Sequence, residues 1–171
     1  MNEFTRYYEE HKKSIFNYIL YRVGFNRDTA EDLTSEIFLK AFEHFDSYDR
    51  DRPFKAWIFT IAHNHLINFR TAQKPVLPLD DAIDVVKDES KNAHFQDTVD
   101  HEAMMSKILT LVEKLPEAQR EIVIMRYVND LSNSEIAHAT GKDEGAIRTA
   151  LSRAITTLRN TFNIHFQDQL P

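Results

Sequence analysis

Leu131–Arg159 reads LSNSEIAHATGKDEGAIRTALSRAITTLR, and its spacing predicts two short helices joined by a tight turn. Ser132 and Glu135 stand in capping-box register, which satisfies two orphan backbone donors at a helix start. Ala137 is small, as suits a close helix crossing. Gly141 falls where the turn needs a positive φ, and Asp143 can cap the second helix. Along that helix Ile147, Ala150, Leu151, Ala154, Ile155 and Leu158 form an apolar stripe at a period of 3.6. This is a helix-turn-helix pattern, whose second helix usually enters the major groove of DNA. A packed αα-hairpin with no DNA role carries the same pattern.

The rest of the chain is compatible with that class. Its 171 residues can form one domain or two small ones, and 42% hydrophobic residues supply a core. Three Gly and five Pro leave little turn chemistry, and long amphipathic runs replace β alternation. The expected class is all-α: two small helical domains joined by an acidic linker, the second ending in the helix-turn-helix. With no cysteine there is no disulfide frame and no thiolate metal site, which fits a reducing compartment. The start, MNEFTRYYEEHKK, has no apolar signal core, and no run approaches the ~18 apolar residues of a membrane span. A soluble, cytoplasmic protein without membrane insertion is expected.

The net charge of −6 is unpromising for a DNA binder until its distribution is considered. Residues 1–74 carry 11 basic and 11 acidic side chains, and residues 101–171 carry 8 and 9. Residues 75–100 carry 2 basic against 7 acidic, so the acidity lies in the middle. That segment lacks a sustained period and reads as a linker. Its 26 residues reach at most ~85–95 Å, more than the ~50–70 Å covered by one and a half to two turns of DNA.

N-terminal to the linker, residues 3–23 form an amphipathic run with Phe4, Tyr8, Ile15, Tyr18 and Ile19 near one face and Gly24 as its C-cap. Asp28 and Glu31 mark the start of a second helix, along which Ala30, Leu33, Ile37, Ala41 and Phe45 keep helical spacing, with Phe38 and Phe42 widening the stripe. Asp32, Glu36, Lys40 and Glu43 are left for the outside. Asp46–Arg52 is a polar loop, and Pro53 opens a third helix with Phe54, Trp57, Ile58, Ile61, Ala62, Leu66 and Phe69 as its apolar side. Its other faces carry Lys55, Phe59, Thr60, His63, Asn64, Asn68 and Arg70, which could stack on and hydrogen-bond unpaired bases. Phe59 could equally be core. Beyond the linker, Met104, Ile108, Leu111, Val112 and Leu115 mark another helix, Pro116 opens a further one with Ile122, Val123 and Met125, and Asn129-Asp130 turns into the opening stretch. The tail after Arg159 is at best a continuing helical end.

Three stretches in this order resemble the extracytoplasmic-function sigma factors of the bacterial sigma-70 family: AEDLTSEIFLKAF at Ala30–Phe42, RPFKAWIFTIAHNHLINFR at Arg52–Arg70, and LPEAQREIVIMRYVNDLSNSEIA at Leu115–Ala137. The resemblance implies a promoter-specificity subunit that binds the β and β′ subunits of core RNA polymerase and promoter DNA. Residues 1–74 would be its core-binding, −10-melting domain, and residues 101–171 its −35 reader. Asp32 and Glu36, with Leu33 and Phe38, would dock on the polymerase. The loop with Tyr48, Arg50 and Arg52 would cradle a flipped base, and Lys55, Thr60, His63, Asn64 and Arg70 would hold the melted strand. Ser132, Lys142, Arg148, Thr149, Ser152 and Arg153 would face the −35 element. The acidic segment would thread polymerase channels that otherwise hold nucleic acid, and an anti-sigma partner is expected.

No catalytic residue, metal or cofactor is implied: the eight histidines are scattered, and no nucleophile–base spacing occurs. The chain also departs from the family pattern. Asn68 stands where aspartate is common, Ala150 where Arg or Lys is frequent, and Ile155, Thr156 and Thr157 replace a stretch that is often basic. Three to four phosphate contacts would give a salt slope of only about −3 to −4. Two other functions suit parts of the chain. One is a stand-alone helix-turn-helix regulator, which leaves the first two stretches unexplained. The other is a sigma-like decoy that occupies an anti-sigma protein.

Overall fold

Asn2 opens the first helix, α1 (Glu3–Arg22): its backbone is extended, and its Oδ1 accepts the Thr5 N–H at 2.8 Å. The computed structural model describes residues 2–73 and 99–166, with side chains for 2–73 and 106–164. α1 ends at Val23, and Gly24 follows in the left-handed region at φ 62, as its glycine suggests. Phe25 shares that conformation at φ 61, and its N–H reaches back to the Leu20 carbonyl at 3.0 Å, closing the helix end. The reversal delivers Asn26 in extended backbone, so Asn26 and not Asp28 caps α2 (Arg27–Glu43), accepting the Thr29 N–H at 3.0 Å. Asp28 lies in the first turn, where a carboxylate favours the helix dipole.

A 3₁₀ turn at Phe45–Ser47 leads to α3 (Phe54–Gln73). Pro53 stands one residue before the helix, and its carbonyl accepts the Ala56 and Trp57 N–H groups at 3.1 and 3.4 Å. The three helices share one core of Ile15, Tyr18 and Ile19 from α1, Leu33, Ile37 and Phe38 from α2, and Ile58, Phe59, Ala62 and Leu66 from α3. Fully burying such large side chains contributes about 1.5–3 kcal/mol each. Phe59 is wholly buried, its ring edge-on to Tyr18 at 5.3 Å, so it cannot stack on a base. It is buried because α3 packs against both α1 and α2, which widens its apolar sector beyond a single stripe.

The second compact unit contains α4 (Val99–Glu113), which starts two residues inside the stretch expected to be linker. The rest of the expected linker lies outside the described residues. Pro116 precedes α5 (Glu117–Val123), which runs into a π turn at Ile124–Val128. Asn129 N–H bonds the Ile124 carbonyl at 3.1 Å, and Leu131 N–H bonds that of Met125 at 3.0 Å. Glu121, Ile122, Val123, Ile124 and Met125 are buried consecutively where α5 passes into this turn. Asp130, at φ 53, then turns the chain into α6 (Asn133–Thr140), and α7 (Glu144–Phe166) completes the unit. α7 runs on through the tail to Phe166. Among the described residues there is no strand and no helix long and apolar enough to cross a membrane.

Candidate functional surfaces

Helical spacing places Asp32, Glu36, Leu39 and Glu43 on one face of α2, opposite the buried Leu33–Ile37–Ala41 stripe. Asp32 and Glu36 are exposed there, as expected. Leu33 and Phe38 are only 3% and 4% exposed and serve the core, so they cannot themselves touch a partner. The apolar groups that α2 does present are Leu39 and Phe42, 59% and 58% exposed. Phe42 meets the edge of Phe4 at 5.2 Å. Leu39 shares the face of the carboxylates, whereas Phe42, which the spacing assigned to the widened apolar stripe, lies outside the core at its edge.

Tyr48 lies beneath the Asp46–Arg52 loop and is 4% exposed. Its hydroxyl donates to the Arg52 carbonyl at 2.5 Å, and its ring packs on Trp57 at 4.9 Å and Phe54 at 5.4 Å. Burial, reinforced by Tyr7 and Glu3, pushes the phenol pKa up to about 12. Tyr48 is therefore a neutral floor that shapes the loop rather than a group facing a ligand. Asp49 tightens the same loop, its carboxylate accepting the Asp51 N–H at 3.0 Å and pairing with Arg52 at 3.4 Å. Arg50 is exposed, paired with Glu3 at 3.0 Å, and its guanidinium lies over the Phe45 ring at 5.2 Å.

On α3, spacing groups Thr60, His63, Asn64 and Ile67 on one side, with Ile67 48% exposed. Ile67 was not among the expected residues. The Thr60 hydroxyl donates to the Ala56 carbonyl at 2.9 Å. Lys55 is not part of that group: it lies beside His11 of α1, whose pKa its charge helps to lower. Arg70 donates to the Arg22 carbonyl and so ties the end of α3 to the end of α1.

In the second unit the capping box is complete: Glu135 N–H donates to Ser132 Oγ at 3.1 Å, and Ser132 N–H to Glu135 Oε2 at 2.7 Å. Ser132 is thus first of all a helix cap. Gly141 ends α6 at φ 67, and Asp143 Oδ2 accepts the Gly145 N–H at 2.9 Å to start α7. A Cβ at Gly145 would come within 2.8 Å of that oxygen, so a larger residue there would displace the Asp143 cap. Arg148, Thr149, Ser152 and Arg153 share the exposed face of α7, opposite the buried Ile147, Leu151 and Ala154. Lys142 is exposed in the turn just before it. Ala150 is half-buried at the edge of the apolar stripe, and Ile155 likewise. Arg148 pairs with Glu144 one turn earlier on the same helix at 3.4 Å, an exposed i,i+4 pair. Among the described residues no group of His, Asp or Glu is arranged to hold a metal.

The chain matches the sigma-70 region 2 family over residues 7–75 and the sigma-70 region 4 family over residues 105–158. It is 35% identical to the ECF RNA polymerase sigma factor BldN of Streptomyces coelicolor over 156 residues, covering 91% of this chain but spanning only 58% of that protein. It is 30% identical to the RNA polymerase sigma factor SigV of Bacillus subtilis, with 81% of each chain covered. Its fold is similar to that of the sigma factor RpoE of Bartonella quintana, solved with the anti-sigma factor NepR. The TM-score is 0.70 at 20% identity, with 96% of this chain and 99% of that one covered.

Proposed function

The chain belongs to the extracytoplasmic-function sigma factors of the sigma-70 family, and from that premise we propose how its surfaces divide the work of a promoter-specificity subunit. It is not an enzyme; polymerisation belongs to core RNA polymerase. The first unit docks on core polymerase through α2. Asp32 and Glu36 meet basic groups of the partner, while Leu39 and Phe42 supply the apolar anchors that such an interface needs at its centre. Leu33 and Phe38 hold that helix in place from beneath.

The Asp46–Arg52 loop, stiffened by Tyr48 and Asp49, receives a base from the −10 element. Thr60, His63, Asn64 and Ile67 line the path of the opened strand. Unstacking a base costs a few kcal/mol, and a pocket offsets that cost only at the right sequence. In the second unit, Arg148, Thr149, Ser152 and Arg153 read the −35 element, with Lys142 on a phosphate. The acidic segment between the units lies in the polymerase's nucleic-acid channel. Its work places the protein in the cytoplasm, and the complex of the similar RpoE with NepR supports an anti-sigma partner here too.

The observation that carries this reading is the region 2 match followed by the region 4 match on one chain. Reconstitution with core enzyme tests it: transcripts should start at a defined set of promoters in the protein's own genome, mapped by their 5′ ends. The thin basic complement of α7 favours one other reading, the decoy. Core binding without initiation at any promoter would support that instead.

A further inference from the structure

Glu36 and Lys40 stand four apart on α2, a spacing at which carboxylate and ammonium commonly pair directly. Here the imidazole of His65, from α3, lies between them. Lys40 Nζ is 2.8 Å from His65 Nδ1, and His65 Nε2 is 2.6 Å from Glu36 Oε2. An ammonium carries only donors, so Nδ1 must accept and the ring proton must sit on Nε2, where it donates to the carboxylate. The His65 side chain is 11% exposed and that of Glu36 57%. A nearly buried ring, fixed at both nitrogens, thus orients an outward-facing carboxylate.

We infer that His65 is a positioning residue for polymerase docking: it aims the Glu36 carboxylate and locks the docking helix α2 to the strand-holding helix α3. This rests on the docking role proposed above for Glu36. The relay Lys40 to His65 to Glu36 makes the two helices answer to one another. A carboxylate left to rotate would lose orientation on binding, and that loss weakens association. With α2 and α3 joined in this way, seating on polymerase also fixes the surface along which the opened strand must lie.

The test compares full-length Glu36→Gln, His65→Ala and His65→Gln proteins in competition for core polymerase, with thermal melting as a check on folding. Glutamine offers one donor and one acceptor near the positions of the ring nitrogens. His65→Ala should bind roughly three- to tenfold more weakly, the scale of one ordinary intramolecular hydrogen bond, because the carboxylate is loosened rather than removed, and His65→Gln should stay within about twofold of the natural chain. Imidazole nitrogen NMR of the natural protein should show the Nε2–H form, with an Nδ1 signal that moves when Lys40 is replaced by Met. A weakened Glu36→Gln beside an unaffected His65→Ala overturns this inference alone. An unaffected Glu36→Gln removes the docking role and the inference with it. Equal weakening in His65→Ala and His65→Gln, or an Nδ1–H ring, also overturns it.

Discussion

His11 shows how one side chain ties the first unit to pH. Its ring stacks on Phe54 at 5.3 Å, and burial holds its pKa below the usual 6.5, with Glu10 opposing and Lys55 assisting. The unfolded chain therefore binds a proton that the folded chain refuses. The stabilisation from a neutral His11 is complete above the unfolded value of 6.5 and is lost as pH falls below it toward the folded pKa. Between about pH 7.5 and about pH 5.5, the natural protein should lose more melting temperature than His11→Phe, which keeps a ring on Phe54 but cannot titrate. Parallel curves would mean that this ring is solvated. Spacing alone does not reveal this role, because a histidine one helical step from a stripe looks the same whether it is buried or wet. Tyr48 is opaque in the same way: the resemblance implies a place in the base-cradling loop, and only the neighbouring rings of Phe54 and Trp57 reveal it as a floor.

Elements were more legible than residues wherever backbone chemistry demanded a particular side chain. The Ser132–Glu135 box, the left-handed Gly141 and the Asp143 cap could all be read directly, because orphan N–H groups and positive φ accept few alternatives. The π turn was not legible, since no side chain in Ile124–Val128 marks i to i+5 bonding as a cap or a glycine marks a helix end. Gly141→Ala isolates the backbone term: a Cβ there meets open space, so strain at φ 67 is the whole effect. It should cost about 1–2 kcal/mol, visible as a lower melting temperature with the surface of α7 unchanged. On α2 the buried and exposed faces should separate cleanly. Leu33→Ala should destabilise by about 2–5 kcal/mol. Phe42→Ala should leave melting nearly unchanged yet weaken polymerase binding by roughly tenfold, the scale of an interface anchor. A Phe42→Ala protein with natural affinity would remove α2's outer face from the docking surface.

Two units, each with its own core, raise the question of why they share a chain. The helix-turn-helix has few cations on its exposed face, and that argues against tight binding of DNA by this half alone. Tethering changes the arithmetic. Once the first unit is seated on polymerase, the second meets its site at an effective concentration set by its covalent connection to the first rather than by its concentration in solution. Weak contacts are then sufficient, and the second unit can let go without the first dissociating. If this is the design, cutting the chain should disable it even though both halves fold. Fragments 1–73 and 99–171 should each melt cooperatively. An equimolar mixture should nevertheless compete for polymerase and promoter about 10²- to 10⁴-fold less well than the intact chain. The loss should appear as faster dissociation of the second fragment, and lowering the salt should partly restore it, because that strengthens each phosphate contact. Fragments that together matched the intact chain would show that the second unit binds by its own affinity. The sparse basic face of α7 would then need an explanation other than the tether.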